Sequence, residues 1–287
     1  MSSLHQGDYR AVINEVQLTY SVVGSGPLLV APSSGWGVGT SYLRNGVANV
    51  LDKFSLLCID TRGSGRSGRP IDSTRMSSAH MADDIEHLRQ HLGLETIDLF
   101  GHSNAGAIAI DYAQRHPEFC RKLVLVDSQL LGFPANEATQ RLLTEWAHDP
   151  RYREAIPHFG KPMTFTDQKF TEELMSFLPL YFHDPGKNMS QMLDTIEVPL
   201  TAWAAAHQWA ADARANCDQA AGLDRIKAQT LILVGRHDFI TPIPVAERIH
   251  AGIKNSSLVV LENSGHFGWI EEPVRFADAV TRFLLNE

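Results

Sequence analysis

Three residues of this 287-residue chain have the types and the order that nucleophilic hydrolysis requires: Ser103 in FGHSNAG, Asp238 in VGRHDFITP and His266 in NSGHFGW. A serine hydroxyl is a weak nucleophile at neutral pH. It needs an imidazole to take its proton and a carboxylate to orient that imidazole. Ser103 follows the strand-like run TIDLFG (96–101) and precedes the helix-like run NAGAIAIDYAQR (104–115). That strand–turn–helix context lifts a serine hydroxyl out above a sheet. The usual Gly-x-Ser-x-Gly spacing is altered, because Ala105 stands where the second glycine is expected and Gly106 comes one place late. Close approach of helix to strand needs small residues, and alanine supplies that. The plain alternative is a serine that caps the helix. His102 precedes Ser103 on a sharp turn and points elsewhere, so it reads as pocket lining and not as the base.

Asp238 stands just past TLILVG (230–235), and His266 just past SLVVLE (257–262). Open parallel sheets place their sites beyond the carboxyl ends of strands, so three separate strand ends would bring the trio together. Singly, Asp238 could cap a helix and His266 could be an ordinary loop residue; their order and placement make the joint reading the stronger one. Asp127, at the end of KLVLVDS (122–128), is a rival carboxylate. Asp60 in CIDTRGSGRS reads as fixing the turn that follows it, and His237 has no geometric claim.

The elements that must hold these residues can be read from hydrophobic pattern. Two strand-like runs, YRAVINEV and VQLTYSVV, predict an antiparallel hairpin. PLLVAP (27–32), FSLLCID (54–60), TIDLFG, KLVLVDS, TLILVG and SLVVLE are short apolar runs typical of strands buried on both faces. Helical spacing predicts helices over 40–52, 78–92, 104–115, 243–253 and 272–285. The expected class is α/β, a mostly parallel sheet with helices on both faces. Alternation stops over 131–225, which is rich in aromatics such as Trp146, Phe170, Phe177, Tyr181 and Trp209. That segment is expected to be a helical cap inserted after the fourth parallel strand, over a core of residues 1–130 and 226–287.

Acyl transfer also needs main-chain N–H groups aimed at the developing oxyanion. The amide of Asn104, next after Ser103, is one candidate. The other should come from the loop after PLLVAP, in Ser33-Ser34-Gly35-Trp36-Gly37, with Gly35 first and Ser34 next. Ser33, Trp36, His102 and Phe267 are candidate pocket residues. An ordinary strand–helix loop is the bland reading of 33–37.

Composition narrows the partners. The chain is 44% hydrophobic and 20% charged with a formal net charge of −8, and no helix gathers lysines and arginines, which argues against nucleic acid. No run approaches the roughly 20 apolar residues that span a bilayer, and MSSLHQGDYRAV lacks the apolar stretch of a signal peptide. Cys58, Cys120 and Cys217 are widely spaced and unlike metal ligands, so a reducing cytoplasmic setting without a metal or cofactor is expected.

Taken together, GPLLVAPSSGWG, CIDTRGSGRSGRP, DLFGHSNAG, LILVGRHDFITP and NSGHFGWIEEPVRFADAVTRFL resemble the α/β-hydrolase superfamily, over nearly all of the chain outside 131–225. The DTRGSGRS loop and SSGWG look most like the proline iminopeptidase branch and related small-molecule esterases. The resemblance implies a cofactor-free serine hydrolase acting through an acyl-enzyme on a small molecule. The aromatic cap suggests an ester or lactone of an apolar or aromatic compound. Three alternatives stand beside it: an aminopeptidase releasing N-terminal proline, a carbon–carbon hydrolase of a diketone, and a hydrolase-fold protein that binds a ligand without turnover. Iminopeptidases of this kind hold a free amino terminus with cap glutamates, and none can be placed here. Dehalogenases and epoxide hydrolases of the fold carry aspartate at the nucleophile position, which Ser103 does not match.

Overall fold

A computed structural model describes residues 4–161, 166–197 and 200–286. The opening hairpin pairs β1 (Gly7–Ile13) with β2 (Val16–Gly24). Its two-residue turn is Asn14-Glu15, both at positive φ (45° and 67°), the geometry whose twist matches that of paired strands. The strands β3 (Leu28–Pro32), β4 (Ser55–Ile59), β5 (Ile97–His102), β6 (Cys120–Val126), β7 (Gln229–Gly235) and β8 (Ser256–Leu261) complete one eight-stranded sheet. The order is β1-β2-β4-β3-β5-β6-β7-β8, antiparallel through β1, β2 and β4 and parallel from there on. The apolar runs are continuous because both faces are covered: Leu99 of β5 packs in the core on one side and Phe100 in the core on the other.

The helices are α1 (Ala48–Val50), α2 (Ser78–His91), α3 (Asn104–Arg115), α4 (Asn136–Trp146), α5 (Asp167–Phe177), α6 (Pro185–Leu193), α7 (Ala202–Ala215), α8 (Ile243–Gly252), α9 (Gly268–Glu271) and α10 (Pro273–Leu285). The periodicity over 40–52 predicts one helix, but the chain forms a wide π-type turn at Leu43–Val47 before the short α1. The stretch still buries Leu43, Val47 and Leu51 completely. The burial pattern was legible, whereas the winding that delivers it was not. Between β6 and β7 the described residues form helices and loops and no strand, so the break in alternation is real. No described helix is long and apolar enough to cross a membrane.

Asp60 does what its loop predicted. Its Oδ1 accepts from the amide and hydroxyl of Thr40 (both 2.7 Å) and its Oδ2 from the Arg66 amide (3.0 Å), tying the TRGSGRS turn to the loop after β3.

Candidate active site

Ser103 occupies the single residue between β5 and α3, with φ 59° and ψ −126°. A non-glycine residue held there carries backbone strain of about 1–3 kcal/mol that its surroundings must enforce. They do so through its main chain. The Ser103 N–H donates to Val126 O (3.1 Å), and its carbonyl accepts from Gly106 N and Gln129 N (both 3.0 Å). The side chain makes no capping hydrogen bond, which removes the plain reading of this serine as a helix cap.

The altered glycine spacing has a steric explanation. A Cβ on Gly101 would stand 2.6 Å from the Ala105 carbonyl oxygen, and one on Gly106 would stand 2.1 Å from Ser128 Oγ and 2.6 Å from Ser128 Cβ. The Ala105 methyl, by contrast, is accommodated with no exposure. The position that must be glycine in this chain is 106, because β6 turns into its loop directly against it.

Asp238 and His266 meet from adjacent loops. Asp238 is fully buried, and its Oδ1 accepts from the amides of Ile240 (2.9 Å) and Thr241 (3.2 Å). Its Oδ2 accepts from the Thr241 hydroxyl and from His266 Nδ1, the latter at 2.8 Å. Burial pushes this carboxyl up, but the His266 ring and the bonds from His266 and Thr241 outweigh burial and hold it below the usual carboxylate value. A carboxylate can only accept, so His266 Nδ1 carries a proton, which leaves Nε2 as the nitrogen that can act as a base. The His266 backbone is fixed by its N–H to Tyr181 O (2.7 Å) and by its carbonyl, which accepts from His102 Nε2 (3.0 Å).

His102 is therefore a support beneath His266. Burial, then the nearby His266 ring, holds its imidazole well below its ordinary pKa, so the ring is neutral. Asp127, the rival carboxylate, sits at φ 44° with its Oδ1 accepting from Gly235 N (2.8 Å). Burial and then the Asp238 charge push its carboxyl well up, so it is protonated and leaves His266 Nδ1 to Asp238. His237 stacks on His183 with ring centroids 4.1 Å apart, away from this cluster. His102, Asp127 and His266 are the one metal-like trio among the described residues, each offering an atom within 4.8 Å of the others. In this arrangement His102 Nε2 bonds to the His266 carbonyl and His266 Nδ1 to Asp238, while His102 Nδ1 and Asp127 Oδ2 have no hydrogen-bond partner.

Ser103 and His266 open into one cavity of about 1150 Å³ between the sheet and the helices that follow β6. Ser34, Asn104, Trp36, His102 and Phe267 also line it. Gly35 and Ser33 do not. A Cβ on Gly35 would meet Gln208 at 2.4 Å, and Ser33 is fully buried with its hydroxyl on Thr61 Oγ1 (2.9 Å) and Thr61 N (3.1 Å). Of the loop residues 33–37, Ser34 and Trp36 face the cavity, and the Asn104 amide opens α3, where no carbonyl within the helix can reach it. Tyr42, Gln129 and Gln208 were not visible in the sequence as site residues. Tyr42 lines the cavity with its hydroxyl toward Ser34. Gln129 Oε1 accepts from Asn104 Nδ2 at 3.0 Å.

A family model described as the alpha/beta hydrolase fold matches residues 34–273. The chain belongs to the α/β-hydrolase fold family. Within it, this α/β hydrolase is 29% identical over 288 residues to a proline iminopeptidase of Saccharolobus solfataricus, covering 95% of this chain and 89% of the relative. It is 28% identical to a 2-hydroxymuconate semialdehyde hydrolase of a Pseudomonas species, covering 90% of this chain and 86% of the relative. Among solved structures, an esterase from Exiguobacterium antarcticum superposes with a TM-score of 0.71 at 24% identity, covering 96% of this chain and 98% of the esterase. The relatives and structural neighbours thus include an iminopeptidase, a semialdehyde hydrolase and an esterase.

Proposed function

We propose that this α/β hydrolase is a serine hydrolase of neutral, largely apolar esters or lactones. In this reading Ser103 attacks the carbonyl carbon while His266 Nε2 takes its proton, and Asp238 holds the imidazole and stabilises its charged form. The amides of Asn104 and Ser34 receive the oxyanion. His266 then returns the proton to the leaving group, and water, deprotonated by His266 in turn, releases the acid from the acyl-enzyme. Residues 131–225 act as a cap over the core, and the two buried thiols Cys58 and Cys120, pushed up to about 12 by burial, fit a reducing cytoplasmic setting. The observation that carries the proposal is the strained Ser103 opening into the same cavity as a His266 already paired with Asp238 at 2.8 Å.

The cavity wall supports the substrate class. Among the described residues it carries no aspartate, glutamate or arginine, and its one cation, Lys161, is exposed to solvent. Residues 162–165 and 198–199 include no carboxylate either. A free amino terminus would be desolvated in such a cavity with no counter-charge, which disfavours an aminopeptidase. Phe159, Phe170, Leu174, Phe177 and Leu178 instead offer apolar surface.

A fluorophosphonate probe tests the chemistry, and a panel of short aryl esters, a lactone, a diketone and a proline arylamide tests the substrate. The proposal expects labelling of the wild type, none of Ser103→Ala, and turnover of esters or lactone above the other substrates. Equal labelling of both proteins, or none of either, would overturn it. Exclusive turnover of the arylamide or the diketone would overturn the ester assignment and leave the nucleophile standing.

A further inference from the structure

Gln208 lies on α7, in the proposed cap, and is completely buried. Both ends of its amide are used. Oε1 accepts from the backbone N–H of Trp36 at 2.7 Å, and Nε2 donates to Asn104 Oδ1 at 2.5 Å, with Ser78 Oγ a further 3.4 Å contact. One side chain of the cap therefore bonds at once to the loop after β3 and to the first residue of α3. Those two segments carry the two amides assigned above to the oxyanion.

The loop is shaped to accept this bond. Gly35 sits at φ +66°, and a Cβ there would meet Gln208 Oε1 at 2.4 Å and Nε2 at 2.9 Å, so only glycine lets the glutamine reach the Trp36 amide. A second tie runs alongside: Thr201 N, at the start of α7, donates to Gly37 O at 3.0 Å. Because Gln208 occupies the Trp36 N–H, that amide is not free for substrate, and Ser34, two residues before it, is the other residue of 33–37 that lines the cavity. Asn104 is held from its other side as well, its Nδ2 donating to Gln129 Oε1.

We propose that Gln208 is a positioning residue for the oxyanion hole: from the cap it fixes the Ser34 loop and the Asn104 turn at the one separation at which both amides meet a single carbonyl oxygen. The proposal rests on the serine-hydrolase reading. Its chemical content is that cap and hole are one assembly. Donors displaced by a fraction of an ångström lose most of their hold on the tetrahedral oxyanion, whereas ground-state binding in the apolar cavity barely changes.

The test is Gln208→Leu, which keeps bulk and removes both hydrogen bonds. Acylation by a p-nitrophenyl ester is followed before steady state, together with affinity for a trifluoromethyl ketone that mimics the tetrahedral adduct. The variant should acylate roughly 10- to 100-fold more slowly with KM within about threefold, and its affinity for the ketone should fall by a similar factor. Acylation within twofold of wild type, or a loss confined to KM, would overturn the proposal. Should Gln208→Leu fail to fold, Asn104→Ala removes the same bond from its other end while keeping the Asn104 amide. An acylation defect with unchanged KM supports the proposal, and wild-type acylation refutes it. A wild type that neither labels nor turns over esters would sink the serine-hydrolase reading itself, a result distinct from an active wild type with an equally active variant.

Discussion

Asp127 and Asp238 are two fully buried carboxyl groups, one at the end of β6 and one just past β7, close enough that the Asp238 charge pushes the Asp127 carboxyl well up. Only one of them can be charged. Asp238 receives His266 and Thr241, and Asp127 receives only the Gly235 amide on Oδ1, so the proton resides on Asp127. The pair therefore sets a neutral acid beside an anion, and the anion in turn steadies the imidazole.

Asparagine should replace Asp127 well, since its oxygen can accept from Gly235 and it places no charge beside Asp238. Asp127 has a raised pKa in the fold, so its stabilising contribution is full below the unfolded value near 3.8 and is lost as pH rises toward the folded value. Asp127→Asn should therefore melt near wild type at pH 4 and above it at pH 8, with kcat kept within about threefold. Melting curves of equal difference at both pH values would contradict a protonated Asp127.

Asp238→Asn removes the anion and favours the wrong imidazole tautomer. By comparison with other serine triads, kcat should fall by about 10⁴ with the fold intact. Steady-state kinetics on an aryl ester decides it. A drop of less than tenfold would mean that another carboxylate orients His266.

His102 makes folding sensitive to mild acid. Its folded pKa lies well below the ordinary value of 6.5, so the unfolded chain takes up a proton near pH 6.5 that the folded chain refuses. Stability from this residue is whole above pH 6.5 and declines as pH falls below it. In His102→Gln, whose side-chain NH2 can still reach the His266 carbonyl, the melting temperature should vary less between pH 7.5 and 5.5 than in wild type. Parallel curves would rule the effect out.

Glycine at 105 and alanine at 106 give a paired test of the elbow. Gly106→Ala should destabilise the protein by about 2–3 kcal/mol, since its methyl overlaps Ser128 Oγ and Cβ. Ala105→Gly should cost about 1 kcal/mol of helix propensity and leave acylation near wild type. Chemical denaturation separates them; equal losses would refute the steric account of the displaced glycine.

Much of this molecule could be read in advance because its signals are local. A strand buried on both faces must be apolar throughout, so the six parallel strands announced themselves. Ser103, Asp238 and His266 each stand within a few residues of such a run. Gln208 had no comparable marker. It sits in an alanine-rich helix, and its bond to the Trp36 amide joins residues 172 positions apart. Gly35 was singled out in this loop for its main chain; the structure packs it against Gln208, while Ser34 and Trp36 beside it line the cavity. Distance along the chain, and the absence of periodicity in a lone polar contact, concealed both facts. The roles of Tyr42 and Gln129 were hidden for the same reason.

The uncharged wall of the cavity also bears on the end of the proposed reaction. Hydrolysing a neutral ester creates an acid that ionises at physiological pH, in a place where no arginine or buried lysine among the described residues waits to receive it. The same surroundings that welcome the substrate make its product an ill-solvated anion. Such a site clears itself, because water outside holds the carboxylate better than anything within.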